Sequence, residues 1–296
     1  MARLETAVTL SVVLASCRAS ELVADAVRSL RRQCEAESAE LIVARSVPVG
    51  AHDPEGLFEG CKLVACSPEA TIPEIRGAGL AAATGEWALL TEDNCVPRRD
   101  WVSRLSSGFD TGAAVVGGTM GNAHPDRAVD AGAFFAEYGF FGQSRSLPGG
   151  GASPFVTGAN VAYHRSVLKE AAAWAGAGEW EGVIHHRLAA RGIRFGLVND
   201  AVVEQNVHCE LASFARDRFD HGRQYAAVRS KGWGRGRRFV LACATPLLPP
   251  LLTWRAWQSA GRAEPGVFVK ALPYTLAFLS AWGAGEASGY LAGRIR

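Results

Sequence analysis

The chain has 296 residues, 48% of them hydrophobic, enough to bury a large core in one domain or a domain with an appendage. With 31 basic residues against 29 acidic ones the net charge is only +2, which excludes the global basic footprint of a nucleic-acid-binding protein. Seven cysteines, at 17, 34, 61, 66, 95, 209 and 243, form no Cys-x-x-Cys pair, so neither a zinc site nor a disulfide framework is indicated and reduced thiols are expected.

Met1-Ala2-Arg3, an apolar run to Ala15 and then Ser16-Cys17 have the look of a bacterial lipoprotein leader, but Glu5 offsets Arg3 and the apolar stretch is short. The same residues predict a first strand over 7–15, β-branched at Val8, Thr9, Val12 and Val13. A helix over 20–34 follows, capped by Ser20, with apolar positions Leu22, Val23, Ala26, Val27 and Leu30 at helical spacing. Next come a strand over 40–44, a Pro/Gly-rich loop over 48–60 and a strand over 62–65. An alanine-rich helix over 73–84 ends at Gly85, and a strand over 86–90 leads into Thr91-Glu92-Asp93-Asn94-Cys95-Val96-Pro97. Strands alternating with helices of this length predict a mostly parallel, Rossmann-like α/β sheet with helices on both faces. No Gly-x-Gly-x-x-Gly or phosphate-loop signature accompanies it.

The acidic stretch places hard oxygen ligands at the C-terminal end of a buried strand, where open α/β sheets bind ligands. It suits a divalent cation with a diphosphate, or else an acidic turn ahead of the next helix. The stretch 138–153 is aromatic and then glycine-rich through Gly149-Gly150-Gly151, which fits a lid, an acceptor groove or a plain surface excursion. Gly178-Glu179-Trp180-Glu181-Gly182 precedes a helix over 183–191, and sheet-like Ala201-Val202-Val203 precedes His208. Between Arg216 and Arg238 eight basic residues face two acids, Asp217 and Asp220, a local excess that suits phosphates or lipid headgroups. Two apolar segments close the chain, Phe239–Trp254 and Ala271–Gly285, each short of the roughly 20 residues a bilayer crossing needs. Lys270 and the aromatic ends would stretch them into a shallow hairpin, and the flanking basic residues, with Arg294 and Arg296, would put both ends in the cytoplasm. An apolar helical pair packed on the soluble domain or in a dimer interface is the other reading.

Several of these stretches together resemble a family 2 glycosyltransferase of the GT-A fold, over nearly the whole length. Val12-Val13-Leu14-Ala15-Ser16-Cys17-Arg18 resembles the family's opening strand, and Arg76-Gly77-Ala78-Gly79 its Arg-Asn-x-Gly helix. Thr91 to Pro97 stands where the family has its Asp-x-Asp motif, and Val156-Thr157-Gly158-Ala159-Asn160 is similar to its Gly-Ala-Asn segment. Gly178 to Gly182 resembles the Glu-Asp-x-Glu-Leu segment, with Glu181 on the catalytic position and Glu179 as its rival; Ala281 to Leu291 resembles the tail of membrane-bound members.

The resemblance implies an inverting glycosyltransferase with a catalytic domain over 1–232 and a membrane-associated helical hairpin over 233–296. Mg²⁺ or Mn²⁺ would be held by Asp93, Asn94 and His208, and the nucleoside-diphosphate sugar by Arg18, Arg76, Glu92 and Asp93. Gly158, Asn160 and Trp180 would face a glycan or lipid-linked acceptor at the cytoplasmic face of the membrane. Glu181, beside Trp180 in a partly dry pocket, is expected to have a raised pKa suited to proton abstraction. Glu92 and Asn94 depart from plain aspartates, and the second strand runs into Arg45-Ser46 where relatives carry acids. These departures leave open a non-catalytic nucleotide-sugar-binding relative that partners a polysaccharide synthase. A nucleotidyltransferase would open with a glycine-rich basic loop, and none follows the first strand.

Overall fold

A computed structural model describes residues 9–48, 54–143 and 156–292. The leader-like residues before 9, the glycine-rich part of the 138–153 stretch, Arg294 and Arg296 lie outside the described residues. In chain order the strands are β1 (Leu10–Ser16), β2 (Glu40–Arg45), β3 (Lys62–Ala65), β4 (Trp87–Glu92), β5 (Cys95–Pro97), β6 (Val115–Asn122), β7 (Val161–His164) and β8 (Phe195–Gln205). The helices are α1 (Ser20–Ala36), α2 (Ile72–Ala82), α3 (Trp101–Ser106), α4 (Ala128–Glu137), α5 (Arg165–Gly176), α6 (Glu181–Ala190), α7 (Leu211–Arg229), α8 (Arg235–Ala244), α9 (Leu248–Ala256) and α10 (Pro265–Ala292).

The strands form one eight-stranded sheet in the order β3-β2-β1-β4-β7-β6-β8-β5. β1 lies parallel between β2 and β4, with β3 parallel on the far side of β2. All seven residues of β1 are buried, as a strand covered on both faces requires, so the strand reading of this segment holds. Beyond β4 the direction reverses: β7 runs antiparallel to β4 and β6 antiparallel to β7, so the sheet is mixed. The parallel half is the part that the strand–helix alternation predicts.

By packing, the chain divides into two compact units. The first holds the described residues up to Thr119 and from 156 to Glu204, and the second holds 120–143 and 205–292. The sequence puts a boundary at 232; instead α7 packs along α10 within the second unit, which also takes in α4. The core of the first unit joins Val13, Ala15, Ile42 and Ala44 of the sheet to Ile75 and Leu80 of α2 and Ala171, Ala172 and Ala175 of α5. α2 is set by a capping box: Thr71 and Glu74 bond reciprocally, with Pro73 in the first turn. Ser20, expected to cap α1, is instead its first helical residue, with Ala19 at the cap.

In the second unit α8, a 3₁₀ turn at Thr245–Leu247, α9 and a π-helical turn at Trp257–Gly261 join into a helical run from Arg235 to Gly261. Pro246, Pro249 and Pro250 do not break it, because each sits in the first turn of its segment, where its missing N–H has no partner to lose. This run of 27 residues and α10 with 28 are long and apolar enough to cross a membrane, by length and composition. Phe239, Val240, Leu247, Leu251, Trp254, Val269 and Leu291 are exposed on them. α10 is also bound to protein: a Cβ added at Gly285 or Gly289 would strike carbonyls of Phe219 and Arg223, so the α7 and α10 backbones touch there.

Gly85, between α2 and β4, has backbone atoms of Thr9, Leu10 and Ser11 within 2.8 Å of where a Cβ would stand. Gly85→Ala should therefore force the start of β1 away from the entry to β4 and cost about 1–3 kcal/mol in denaturant unfolding, with the m-value unchanged.

Candidate active site

Three segments bring the site together within the first unit: the C-terminal end of β4, the turn after β1, and the start of α6. β4 ends in Glu92, and Asp93 follows it directly. The Asp93 amide donates to the Ala15 carbonyl at 3.1 Å, and its Oδ2 accepts the main-chain N–H groups of Cys17 at 2.7 Å and Arg18 at 2.9 Å. Asp93 is thus locked onto the β1 turn. Burial, with the Glu92 charge adding to it, raises its carboxyl from the ordinary 3.8 to about 6, against the pull of the Cys17 amide and of the Arg18 charge. Asn94 is half-buried and accepts the Cys95 thiol at 3.1 Å through Oδ1.

Glu92 and Glu181 converge on one guanidinium. Arg76 of α2 donates from Nε to Glu92 Oε1 at 2.7 Å and from Nη1 to Glu181 Oε2 at 2.6 Å, with Nη2 also on Glu92. The guanidinium is buried and lies 5.7 Å from the centre of the Trp180 ring. Gly158 makes room for it, since a Cβ there would stand 2.8 Å from Nη1. Glu181 is the first residue of α6, two positions earlier than the sequence predicts the helix to start. The expected rise in its pKa is not found: burial does raise it, but Arg76 outweighs burial, with His185 on the next turn adding to the downward pull. Glu181 is therefore ionised at neutral pH. Its rival Glu179 pairs with Arg187 at 2.9 Å instead.

The remaining expected residues fall differently. Asn160 is fully enclosed: its amide donates to the Thr119 and Ala201 carbonyls at 2.8 and 2.9 Å and accepts Trp101 Nε1 at 2.8 Å. With those bonds made inside the protein it braces the sheet and does not face an acceptor. Arg18 is half-buried, and Trp180 stays half-buried above Arg76. His208 belongs to the second unit, where its Nδ1 lies 2.9 Å from both Asp130 Oδ2 and Arg127 Nη1 and its ring packs on His124. On α7, Arg218 is buried against Glu137 at 2.7 Å and over the Trp282 ring, so this helix is not simply a solvated basic face.

Three further residues take parts that the sequence analysis does not give them. Arg45, at the end of β2, is buried and donates to Ser20 Oγ at 3.1 Å and the Arg18 carbonyl at 3.5 Å, bracing the turn that holds Asp93. Behind Glu181, the Tyr163 hydroxyl and His185 Nε2 meet at 2.7 Å in the core. The spacing of Glu181 and His185, one helical turn, is the signal that would have found the latter. Among the described residues no group of three or more His, Cys, Asp or Glu side chains converges as a ready-made metal cage.

No family model matches the chain, and no curated protein matches it in sequence. Solved structures do match in fold. The mannosyltransferase PcManGT from Pyrobaculum calidifontis, in complex with GDP-Man and Mn²⁺, aligns at a TM-score of 0.51 and 15% identity over 94% of this chain and 86% of that one. GalNAc-T7, solved with UDP, GalNAc and Mn²⁺, aligns at 0.51 and 14% identity over 69% of this chain and 44% of that one. The chain has the GT-A glycosyltransferase fold. The end of β4, with Asp93, the β1 turn and Glu181 around it, stands at the C-terminal edge of the parallel strands, where open α/β layers commonly bind ligands.

The raised Asp93 carboxyl has a measurable consequence. The native state holds its proton to a higher pH than the unfolded chain does, so this group's contribution to stability falls as pH rises from about 4 to about 6. With a chelator present, Asp93→Asn should remove that loss, and the unfolding free energy of the variant relative to wild type should rise across the window by up to roughly 3 kcal/mol. A difference that stays flat with pH would show that Asp93 is not desolvated.

Proposed function

We propose that the chain is a metal-dependent, inverting glycosyltransferase of the family 2 type. It moves a sugar from a nucleoside-diphosphate donor to a hydroxyl of a glycan or lipid-linked acceptor. The observation that carries this reading is the convergence of Glu181 with the acidic end of β4 through Arg76, because inversion needs a base close to the group that holds the donor. Asp93 and Asn94 would hold the cation: they are hard oxygen donors, and a desolvated carboxylate raised to about 6 is a group whose charge a divalent ion would stabilise. Mg²⁺ or Mn²⁺, when bound, supplies neutralisation of the charge that builds on the departing diphosphate. The neighbours solved with Mn²⁺ and nucleotide or nucleotide sugar support that choice.

In this reading Glu181 takes the proton of the acceptor hydroxyl, and Trp180 forms an apolar wall for the acceptor. Arg18 offers a half-buried cation beside Asp93 for the donor's phosphates. The first unit is the catalytic layer, with its ligands confined to it. The second associates with the cytoplasmic face of the membrane through the outer surfaces of its two long apolar helices, which makes envelope glycans a natural class of product. Leu247, Leu251 and Trp254, exposed in a row on one of them, support that association.

Donor turnover with Mn²⁺ tests the chemistry. Glu181→Gln should lower kcat by about 10²-fold or more, while the thermal shift given by a uridine or guanosine diphosphate sugar with Mn²⁺ persists. Stabilisation by donor without turnover in wild type, even with candidate acceptors, would instead favour a binding relative that partners a synthase. Vesicle flotation tests the second unit: Leu247→Glu with Trp254→Glu should release the protein from vesicles of mixed neutral and anionic lipid. Equal flotation of both forms would end the membrane assignment.

A further inference from the structure

We propose that Arg76 is a positioning residue for Glu181 and not a contact for the donor diphosphate, and that Glu92 serves as its anchor and not as a ligand. The inference rests on the reading of Glu181 as the base. Phosphate contacts need a guanidinium edge turned outward. Arg76 has none to offer on its bonded sides: Nε and Nη2 face Glu92, Nη1 faces Glu181, and the Gly158 backbone lies flush behind. The side chain is only 6% exposed, with Trp180 over it. Its position is itself built, by the capped helix that carries it and by a glycine where any side chain would collide.

The arrangement has a clear electrostatic purpose. A buried carboxylate, Glu92, and a half-buried one, Glu181, from segments far apart in sequence share one cation, and without it their charges would face each other in a partly desolvated place. One of them would then take up a proton. Among the described residues, the charged and titratable groups around Glu181 are Arg76 from α2, Glu92 beyond it on β4, His185 from its own helix, and Tyr163 from β7. Arg76 is the one strong cation among these, so it fixes both the direction of the Glu181 carboxylate and its ionisation. Glu92, already committed to Arg76, leaves Asp93 as the acid at the strand end for a divalent ion.

Arg76→Gln and Arg76→Lys test this, with donor turnover followed against pH at saturating Mn²⁺. In Arg76→Gln the acid limb of kcat/KM should move up by a pH unit or more while the donor KM stays within about twofold; in Arg76→Lys the limb should move less, since one ammonium cannot fork between two acids. A donor KM raised tenfold or more with an unmoved acid limb would make Arg76 a diphosphate contact and overturn the proposal. A second measurement needs no turnover. Glu181→Gln should lower the melting temperature when Arg76 is present and have little effect in an Arg76→Gln background; equal losses in both backgrounds would show that the two side chains do not act as a pair. If Arg76→Gln does not fold, Arg76→Lys takes its place in the cycle. A wild type that turns over no donor would defeat the transferase reading itself, while the melting temperatures would still decide the pairing.

Discussion

The site depends on one main-chain interaction, the capture of the Asp93 carboxylate by the amides of Cys17 and Arg18. β1 is buried at every position, and the turn after it presents two N–H groups in succession at the sheet edge. Asp93, at the end of the neighbouring strand, fills them. An acid is thereby held at a fixed place by groups that cannot rearrange, at the cost of desolvation that keeps its proton on to about pH 6. Arg45 stiffens the same turn from the other side through Ser20 and the Arg18 carbonyl. Where relatives are expected to place acids at this strand end, this chain has a brace.

Much of the first unit was legible because its strands are β-branched or uniformly apolar and its helices have regular spacing. β1, β2, β3 and α1 fall within a few residues of where periodicity puts them. The reversal at β7 was not legible: a short apolar run carries no mark of its direction, and only its register with β4 decides it. α2 carries a sequence signature of its start, Thr71 with Glu74 three residues on.

Within the site, residue types were easier to read than environments. The apolar neighbour Trp180 suggested a raised Glu181 pKa, but the deciding group, Arg76, stands 105 residues upstream. Sequence adjacency favours the neighbour that can be seen, whereas a guanidinium at 2.6 Å outweighs a ring in setting a carboxylate's charge. Asn160 failed for the opposite reason. A Gly-Ala-Asn stretch looks polar and available, yet its amide is the internal tie between Trp101 and two carbonyls.

The glycine seam between α7 and α10 limits what a bilayer can do with the second unit. At Gly285 and Gly289 one helix backbone rests directly on the other, so α10 has a polypeptide partner along that side before any lipid approaches. A free transmembrane rod is wetted by acyl chains all round; this one has part of its surface already taken by protein. Insertion to full depth would drag the charged rows of α7 with it or tear the seam open. Any surface that took up α10 would therefore have to accommodate α7 with it, as one joined pair.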